Sequence, residues 1–146
     1  TKKGLKLCGV KINYNKLIGH SDADVGIHAI CDSIFGALSM KDIGYYFSNS
    51  DPKWKNKNSI YFLKFAKEQL KDKKFSIVNL DINFICEKPN ISKYRKQMIK
   101  KISSILQIPE KIISIKATSN EKIGFIGDGL GIAAESIVQI SNENIY

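Results

Sequence analysis

The chain has 146 residues, 43% of them hydrophobic and 25% charged, which is one domain's worth at about 100–200 residues per domain and excludes a disordered or fibrous chain. Its net charge is +9, yet Arg95 is the single arginine beside 22 lysines, and isoleucine (24) and asparagine (11) are also abundant. No apolar run approaches the ~20 residues of a membrane span, and no charged-then-apolar signal pattern opens the sequence.

In chain order, Leu5 to Ile12 reads as a short strand or hairpin arm around Gly9, followed by a turn at Asn13-Tyr14-Asn15. Ser21-Asp22 offers a helix N-cap, and Val25, Ile30, Cys31, Ile34, Phe35 and Leu38 then recur at helical spacing. Ser48 to Asn58 is polar and reads as a loop. A second helix follows Asn58-Ser59, with Ile60, Leu63, Phe65, Ala66 and Leu70 apolar. Phe75 to Glu87 alternates as a long strand, with Ile77, Asn79, Asp81, Asn83 and Ile85 on one face. Val78, Leu80, Ile82, Phe84 and Cys86 lie on the other. Pro89 ends it, and Ser92 opens a third helix carrying Tyr94, Met98, Ile99, Ile102, Ile105 and Leu106. Ile112 to Thr118 and Gly131 to Ser141 read as further strands. Helices and strands interleave without strict alternation, which predicts a single α+β domain with a mixed β-sheet and helices packed on one face.

The charge admits two explanations. A basic field attracts nucleic acid or phosphorylated ligands, and Tyr45, Tyr46 and Trp54 could stack on bases. Isoleucine, lysine and asparagine are equally the residues that an AT-rich genome encodes most readily. Phosphate and guanine are gripped best by arginine's bidentate fork, so one arginine argues against a nucleic-acid partner. Cys8, Cys31 and Cys86 form no CxxC or Cys/His cluster. They read as small buried hydrophobes in a reducing compartment.

Four segments carry candidate chemistry. In His20-Ser21-Asp22-Ala23-Asp24-Val25-Gly26-Ile27-His28, which holds both histidines, Asp24, His28 and Asp32 share one helix face at spacings of four. Carboxylates one turn away would orient the imidazole as a metal ligand. Alternatively, Asp22 and Asp24 only serve the first helical turn and His28 packs in the core. Asp42-Ile43-Gly44-Tyr45-Tyr46-Phe47 leads into polar Ser48 to Asp51, a loop with a hydrophobic anchor in which Gly44 permits a tight backbone. Pro52-Lys53-Trp54 receives no role. In Lys116 to Gly131, two hydroxyls at a strand end precede a carboxylate, a lysine and a glycine-rich turn, suited to phosphate and divalent cations. The glycines match neither a Walker nor a dinucleotide pattern, and a capping box from Thr118 to Glu121 explains the same residues. Cys86 to Ser92 joins a strand to a helix, where ligands often bind.

In this order, HSDADVGIHAICDSIFGALSMKDIGYYF, EKPNIS, KATSNEKIGF and GDGLGIAAES resemble the 2-C-methyl-D-erythritol 2,4-cyclodiphosphate synthases of non-mevalonate isoprenoid biosynthesis. The resemblance covers the chain from about Gly9 onward. It implies a homotrimer with active sites at subunit interfaces, no nucleic-acid or membrane partner, and 4-diphosphocytidyl-2-C-methyl-D-erythritol 2-phosphate as substrate. The 2-phosphate would attack the β-phosphorus and release CMP, a cyclising phosphorus–oxygen lyase reaction. Two cofactors are implied: zinc or another divalent ion at one site, and magnesium or manganese at the other.

Residue by residue, the resemblance makes His28 the zinc ligand and Glu121 the ligand of the magnesium or manganese ion. His20 and Ser119 become catalytic, with His20 and Ser21 beside the methylerythritol and phosphates. Asp42, Ile43 and Gly44 would bind its hydroxyls, with Phe47, Ser48, Asn49, Ser50 and Asp51 continuing that wall. Cys86, Glu87, Lys88, Pro89, Asn90, Ile91 and Ser92 would form the cytosine pocket. Thr118, Ser119, Asn120 and Glu121 would hold the diphosphate, with Phe125 nearby. Glu135 would face a cavity on the trimer axis, or else be an exposed edge-strand acid.

Three departures from the pattern stand out. No Asp-x-His pair precedes His28, so the domain, residues 1–146, is expected to lack the family's first strand with those metal ligands. Asp128 stands where many members have a basic residue, and Asn49 replaces a common acid. The composition fits an AT-rich nuclear genome serving a plastid-like organelle (an apicoplast), with a transit peptide removed; otherwise the compartment is the bacterial cytoplasm.

Overall fold

The computed structural model describes residues 3–19, 21 and 23–143. The chain opens with a hairpin of β1 (Lys3–Leu7) and β2 (Val10–Asn15). Cys8 and Gly9, both at positive φ (49° and 77°), make its two-residue turn, the handedness that suits the twist of paired strands. Asn13 to Asn15 thus continues β2 instead of turning. Leu5, Leu7 and Ile12 are buried and carry the hairpin's apolar side inward.

Helix α1 (Val25–Ala37) is capped by Asp24, whose side chain accepts from the Ile27 N–H. The sequence placed the cap at Ser21-Asp22. Asp24 wins because its carboxylate also serves the hairpin turn, a partner invisible to local pattern. The short helix α2 (Ile43–Tyr46) replaces the expected loop around Gly44, and a 3₁₀ turn at Pro52–Trp54 interrupts the polar stretch. Trp54 is buried there, with its ring centroid 4.8 Å from that of Phe47. Phe47 also lies against Phe62 of α3 (Ile60–Asp72), centroids 4.5 Å apart. These rings make an aromatic core under the loop, with contacts of the kind that add about 0.5–1.5 kcal/mol per pair beyond burial.

The main sheet has the order β4–β3–β5, built from β3 (Ser76–Ile85), β4 (Ile113–Thr118) and β5 (Ala133–Ser141). β4 runs parallel to β3 and β5 antiparallel to it, a mixed sheet in an α+β domain. The expected alternation holds from Leu80 onward, with Leu80, Ile82, Phe84 and Cys86 buried. It fails at the start, where Ile77 and not Val78 is buried. The register with β5 shifts between Ile77 and Asn79, and one extra residue in a strand swaps the faces on either side of it.

Helix α4 (Arg95–Leu106) starts after a 3₁₀ turn at Ile91–Lys93; Ser92 therefore lies in that turn and does not open the helix. Arg95 donates from Nε to the Ile115 carbonyl (2.8 Å) and from Nη2 to Ser92 Oγ, so the chain's one arginine ties α4 to β4. Helices α1 and α4 cover one face of the sheet, with α3 packed against both. The opposite face presents Asn79, Ser114, Lys116, Glu135, Ile137 and Gln139 to solvent. Ile137 is 74% exposed. Glu135 is likewise an exposed acid on an edge strand.

Candidate active site

A cleft of about 690 Å³ opens between the segment after β2, the start of α1 and the glycine-rich stretch before β5. From the expected site residues it gathers Ser21, His28, Asn49, Lys88 and Phe125, drawn from four separate parts of the sequence. His28 is half-buried, and Ser21 Oγ stands 3.4 Å from its Nε2. Lys16 and Lys88 line the cleft, and no acidic side chain does among the described residues. A concave site with cations and no described acids favours a polyanion. His20, expected beside the phosphates, and Asp22 lie outside the described residues.

The carboxylates flanking His28 have other tasks. Asp24 is fully buried, and its Oδ1 accepts from the Cys8 and Ile27 N–H groups (2.9 and 3.0 Å) while Oδ2 accepts from Gly9 (2.7 Å). Asp32 accepts from the Ile43 N–H at 2.8 Å. Equal spacing along a helix put all three side chains on one face, but a carboxylate goes to unpaired backbone donors when these are nearby. One carboxylate locks the hairpin turn to α1, and the other fixes α2, and with it Asp42, Ile43 and Gly44, against α1.

Of the wall after Phe47, only Asn49 reaches the cleft. Phe47 is buried in the aromatic core. Ser48 and Ser50 share a hydroxyl contact of 2.8 Å, and Asp51 caps the Pro52–Trp54 turn by accepting from Lys53 N–H. In the expected cytosine pocket, Lys88 alone lines the cleft. Cys86 and Ile91 are buried, and Asn90 caps its own turn by accepting from Ser92 N–H. Burial, and then the neighbouring Glu87, push the Cys86 thiol up from its ordinary pKa.

Thr118 ends β4, and Ser119 to Glu121 lead into a turn in which Ser119 and Glu121 are exposed and Asn120 is half-buried, rather than the capping box. Ser119 Oγ donates to Glu121 Oε1 at 3.3 Å, and the Ile123 N–H donates to the Asn120 carbonyl. Among the described residues, no three His, Cys, Asp or Glu side chains converge on one point. Zinc takes three protein ligands in a catalytic site, and among the described residues lining the cleft His28 is the single donor for it. Glu121 is an exposed carboxylate beside a hydroxyl, which fits magnesium bound by one carboxylate together with substrate phosphates.

Sequence reasoning missed the cleft wall formed by Tyr14 to Gly19 and by Gly129 to Ile132. A signal was available in apolar residues without an amphipathic period. Ile18 and Leu130 are fully or largely exposed, at 103% and 78%, which marks an apolar surface awaiting a contact.

The family model described as YgbB family matches residues 1–141. The chain belongs to the YgbB family. A 2-C-methyl-D-erythritol 2,4-cyclodiphosphate synthase of Ehrlichia chaffeensis is 45% identical over 141 residues, covering 96% of this chain and 82% of the relative. The resemblance read from the four sequence segments is thereby borne out. The bifunctional enzyme IspD/IspF of Wolbachia pipientis wMel is 48% identical over 143 residues, 97% of this chain but 36% of that enzyme. The chain thus spans about a third of the length of the bifunctional relatives it matches. Among solved structures, the Plasmodium falciparum IspF CDP complex superposes with a TM-score of 0.87 at 42% identity, covering 97% of this chain and 85% of that one. The bifunctional IspDF of Campylobacter jejuni gives 0.91 at 37% identity, covering 94% and 38%. No helix among the described residues of this YgbB-family chain is long and apolar enough to cross a membrane.

Proposed function

We propose that this chain is a cyclodiphosphate synthase domain, converting 4-diphosphocytidyl-2-C-methyl-D-erythritol 2-phosphate to 2-C-methyl-D-erythritol 2,4-cyclodiphosphate and CMP. The observation that carries the proposal is the cleft, where Lys16, Lys88, Ser21 and His28 meet without a described acid, in a fold matched by a relative described as a CDP complex. An oxygen of the 2-phosphate forms a bond to the β-phosphorus. The bond from that phosphorus to the bridging oxygen breaks, and its electron pair leaves with CMP. The nucleophile is already anionic at neutral pH, so the protein's task is positioning and neutralisation of charge.

Lys88 and Lys16 act as point charges on the phosphates. The Ser21 hydroxyl holds the methylerythritol phosphate end. Ser119 donates to the diphosphate next to Glu121, and the backbone of the Cys86 to Ser92 loop reads the base. A magnesium or manganese ion on Glu121, when bound, supplies charge neutralisation across the phosphates; His28 is assigned to a zinc ion as one ligand among several.

The assembly is a homotrimer, for which the open sheet face with its exposed Ile137 supplies an apolar contact. The curated relatives cited are bacterial, which favours the bacterial cytoplasm over the organelle. The test is CMP release by the whole protein with divalent metal, followed chromatographically. His28→Ala and Glu121→Gln should each abolish most of the release. No CMP from the wild-type protein with zinc and magnesium both supplied would refute the proposal.

A further inference from the structure

The resemblance put Glu87 in a cytosine pocket read by backbone groups, and its side chain has partners of its own. Strands β3 and β4 run in parallel to their ends at Ile85 and Thr118, and one more bond, Cys86 N–H to the Thr118 carbonyl (3.1 Å), continues the ladder. Past that point the two chains separate, one into the Lys88-Pro89 loop and the other into the turn of Ser119 to Ile123. The Glu87 side chain spans the gap. Its Oε1 accepts from the Asn120 N–H at 3.1 Å and from the Lys122 N–H at 3.0 Å.

Between those two donors sits Glu121. It and Lys122 have φ of 51° and 60°, a left-handed pair that non-glycine residues adopt only when their surroundings enforce it. The enforcement comes from two sides. Glu87 draws in the N–H groups flanking Glu121, while Gly127 lies so close behind that a Cβ there would stand 2.2 Å from the Lys122 carbonyl carbon. The Asn120 side chain closes the turn by donating to the Ile123 carbonyl at 2.6 Å. Held this way, the turn turns the Glu121 carboxylate outward beside the Ser119 hydroxyl.

We infer that Glu87 is a positioning residue: its side chain sets the backbone of the Ser119–Glu121 turn and so aims the metal-binding carboxylate and the diphosphate-binding hydroxyl. This inference rests on the assignment of Glu121 as the magnesium or manganese ligand. An oxygen acceptor at the right reach is what the two N–H groups need, so the amide of glutamine should substitute for it. Aspartate, one methylene shorter, should not.

The experiment measures Mn²⁺ affinity in the presence of CDP by electron paramagnetic resonance, alongside steady-state CMP release, on the whole protein. Glu87→Ala and Glu87→Asp should each weaken Mn²⁺ binding about tenfold or more and lower kcat more than they raise KM, since a misplacement near 1 Å can cost two orders of magnitude in rate. Glu87→Gln should recover Mn²⁺ affinity to within about threefold of wild type, the rescue expected of an acceptor that keeps both N–H bonds. Hydrogen exchange at Asn120 and Lys122 should accelerate in the alanine and aspartate variants and stay slow in the glutamine one. If Glu87→Ala fails to fold, the aspartate and glutamine pair carries the comparison. Unchanged Mn²⁺ affinity in Glu87→Asp, or a Glu87→Gln as impaired as Glu87→Asp, overturns the inference. Glu121→Gln is the control: if it leaves Mn²⁺ affinity intact, the metal assignment fails and this inference with it. If it weakens binding while the Glu87 variants do not, the inference alone falls.

Discussion

Removing the Asp24 carboxylate should unfasten the hairpin from the first helix. Three backbone N–H groups converge on it, from Cys8, Gly9 and Ile27, at 2.7–3.0 Å. Cys8 and Ile27 are fully buried, so water cannot take the place of the lost acceptor. Each orphaned buried donor costs about 1–3 kcal/mol, and loss of an N-cap by itself about 1 kcal/mol. Because the cap is one of these same bonds, Asp24→Ala should lose about 3–5 kcal/mol. That is a large part of a domain's typical stability of about 5–15 kcal/mol, and it should lower Tm by about 10 °C at about 2–4 °C per kcal/mol for a chain of this size. Asp24→Asn keeps an oxygen for Cys8 and Ile27 but turns an amide toward the Gly9 N–H, so its loss should be smaller, about 1–2 kcal/mol. Urea unfolding followed by circular dichroism measures both. An Asp24→Ala variant that kept stability within about 1 kcal/mol of wild type (the lower bound for one orphaned donor) would refute the reasoning.

Further expectations follow from the same packing. Gly26→Ala would put a Cβ 2.7 Å from Cys8 Sγ and 2.9 Å from Phe84 Cζ; calorimetry should register an overpacking loss of about 1–3 kcal/mol. Ile137→Asp, on the open sheet face, should leave the fold's stability within about 0.5 kcal/mol while shifting the sedimentation profile from trimer to monomer; an unchanged profile would count against the proposed assembly. Burial raises the pKa of Cys8, Cys31 and Cys86, with Asp24, Asp32 and Glu87 respectively adding to the effect. Raising the pH to about 8.5, where an unfolded thiol is half ionised, should therefore leave the native protein slow to alkylate. The same reagent in urea should label all three cysteines quickly. Fast labelling of any of them in the native state would contradict the packing.

Where the sequence was legible, the signal was periodicity against burial. Val25 to Leu38 and Ile60 to Leu70 show one apolar stripe each, and the structure buries those stripes as the inner faces of α1 and α3. The Leu80–Ile82–Phe84 alternation likewise marks the covered face of β3. Illegibility had equally definite causes. Local patterning cannot announce a one-residue bulge, so Ile77 and Val78 exchanged faces. Three residues on one helical stripe look alike by spacing, yet Asp24 and Asp32 serve backbone donors brought from Cys8, Gly9 and Ile43. Only His28 was left to the cleft.

With Arg95 bound to the Ile115 carbonyl and Lys116 paired with Asp81 on the open sheet face at 2.9 Å, a net charge of +9 says little about where a polyanion sits. The sequence by itself determined the family, through ordered motifs whose residue types survive any numbering, and the elements, through hydrophobic periods intrinsic to helix and strand. Tertiary structure alone decided which of those motif residues meet. The β4–β3–β5 order brings Glu87 beneath the Ser119–Glu121 turn across 33 and 35 residues of sequence, and the hairpin locked by Asp24 carries Lys16 to the cleft that holds Lys88. Such contacts depend on how separate elements pack, and packing between distant segments leaves no local pattern in the chain.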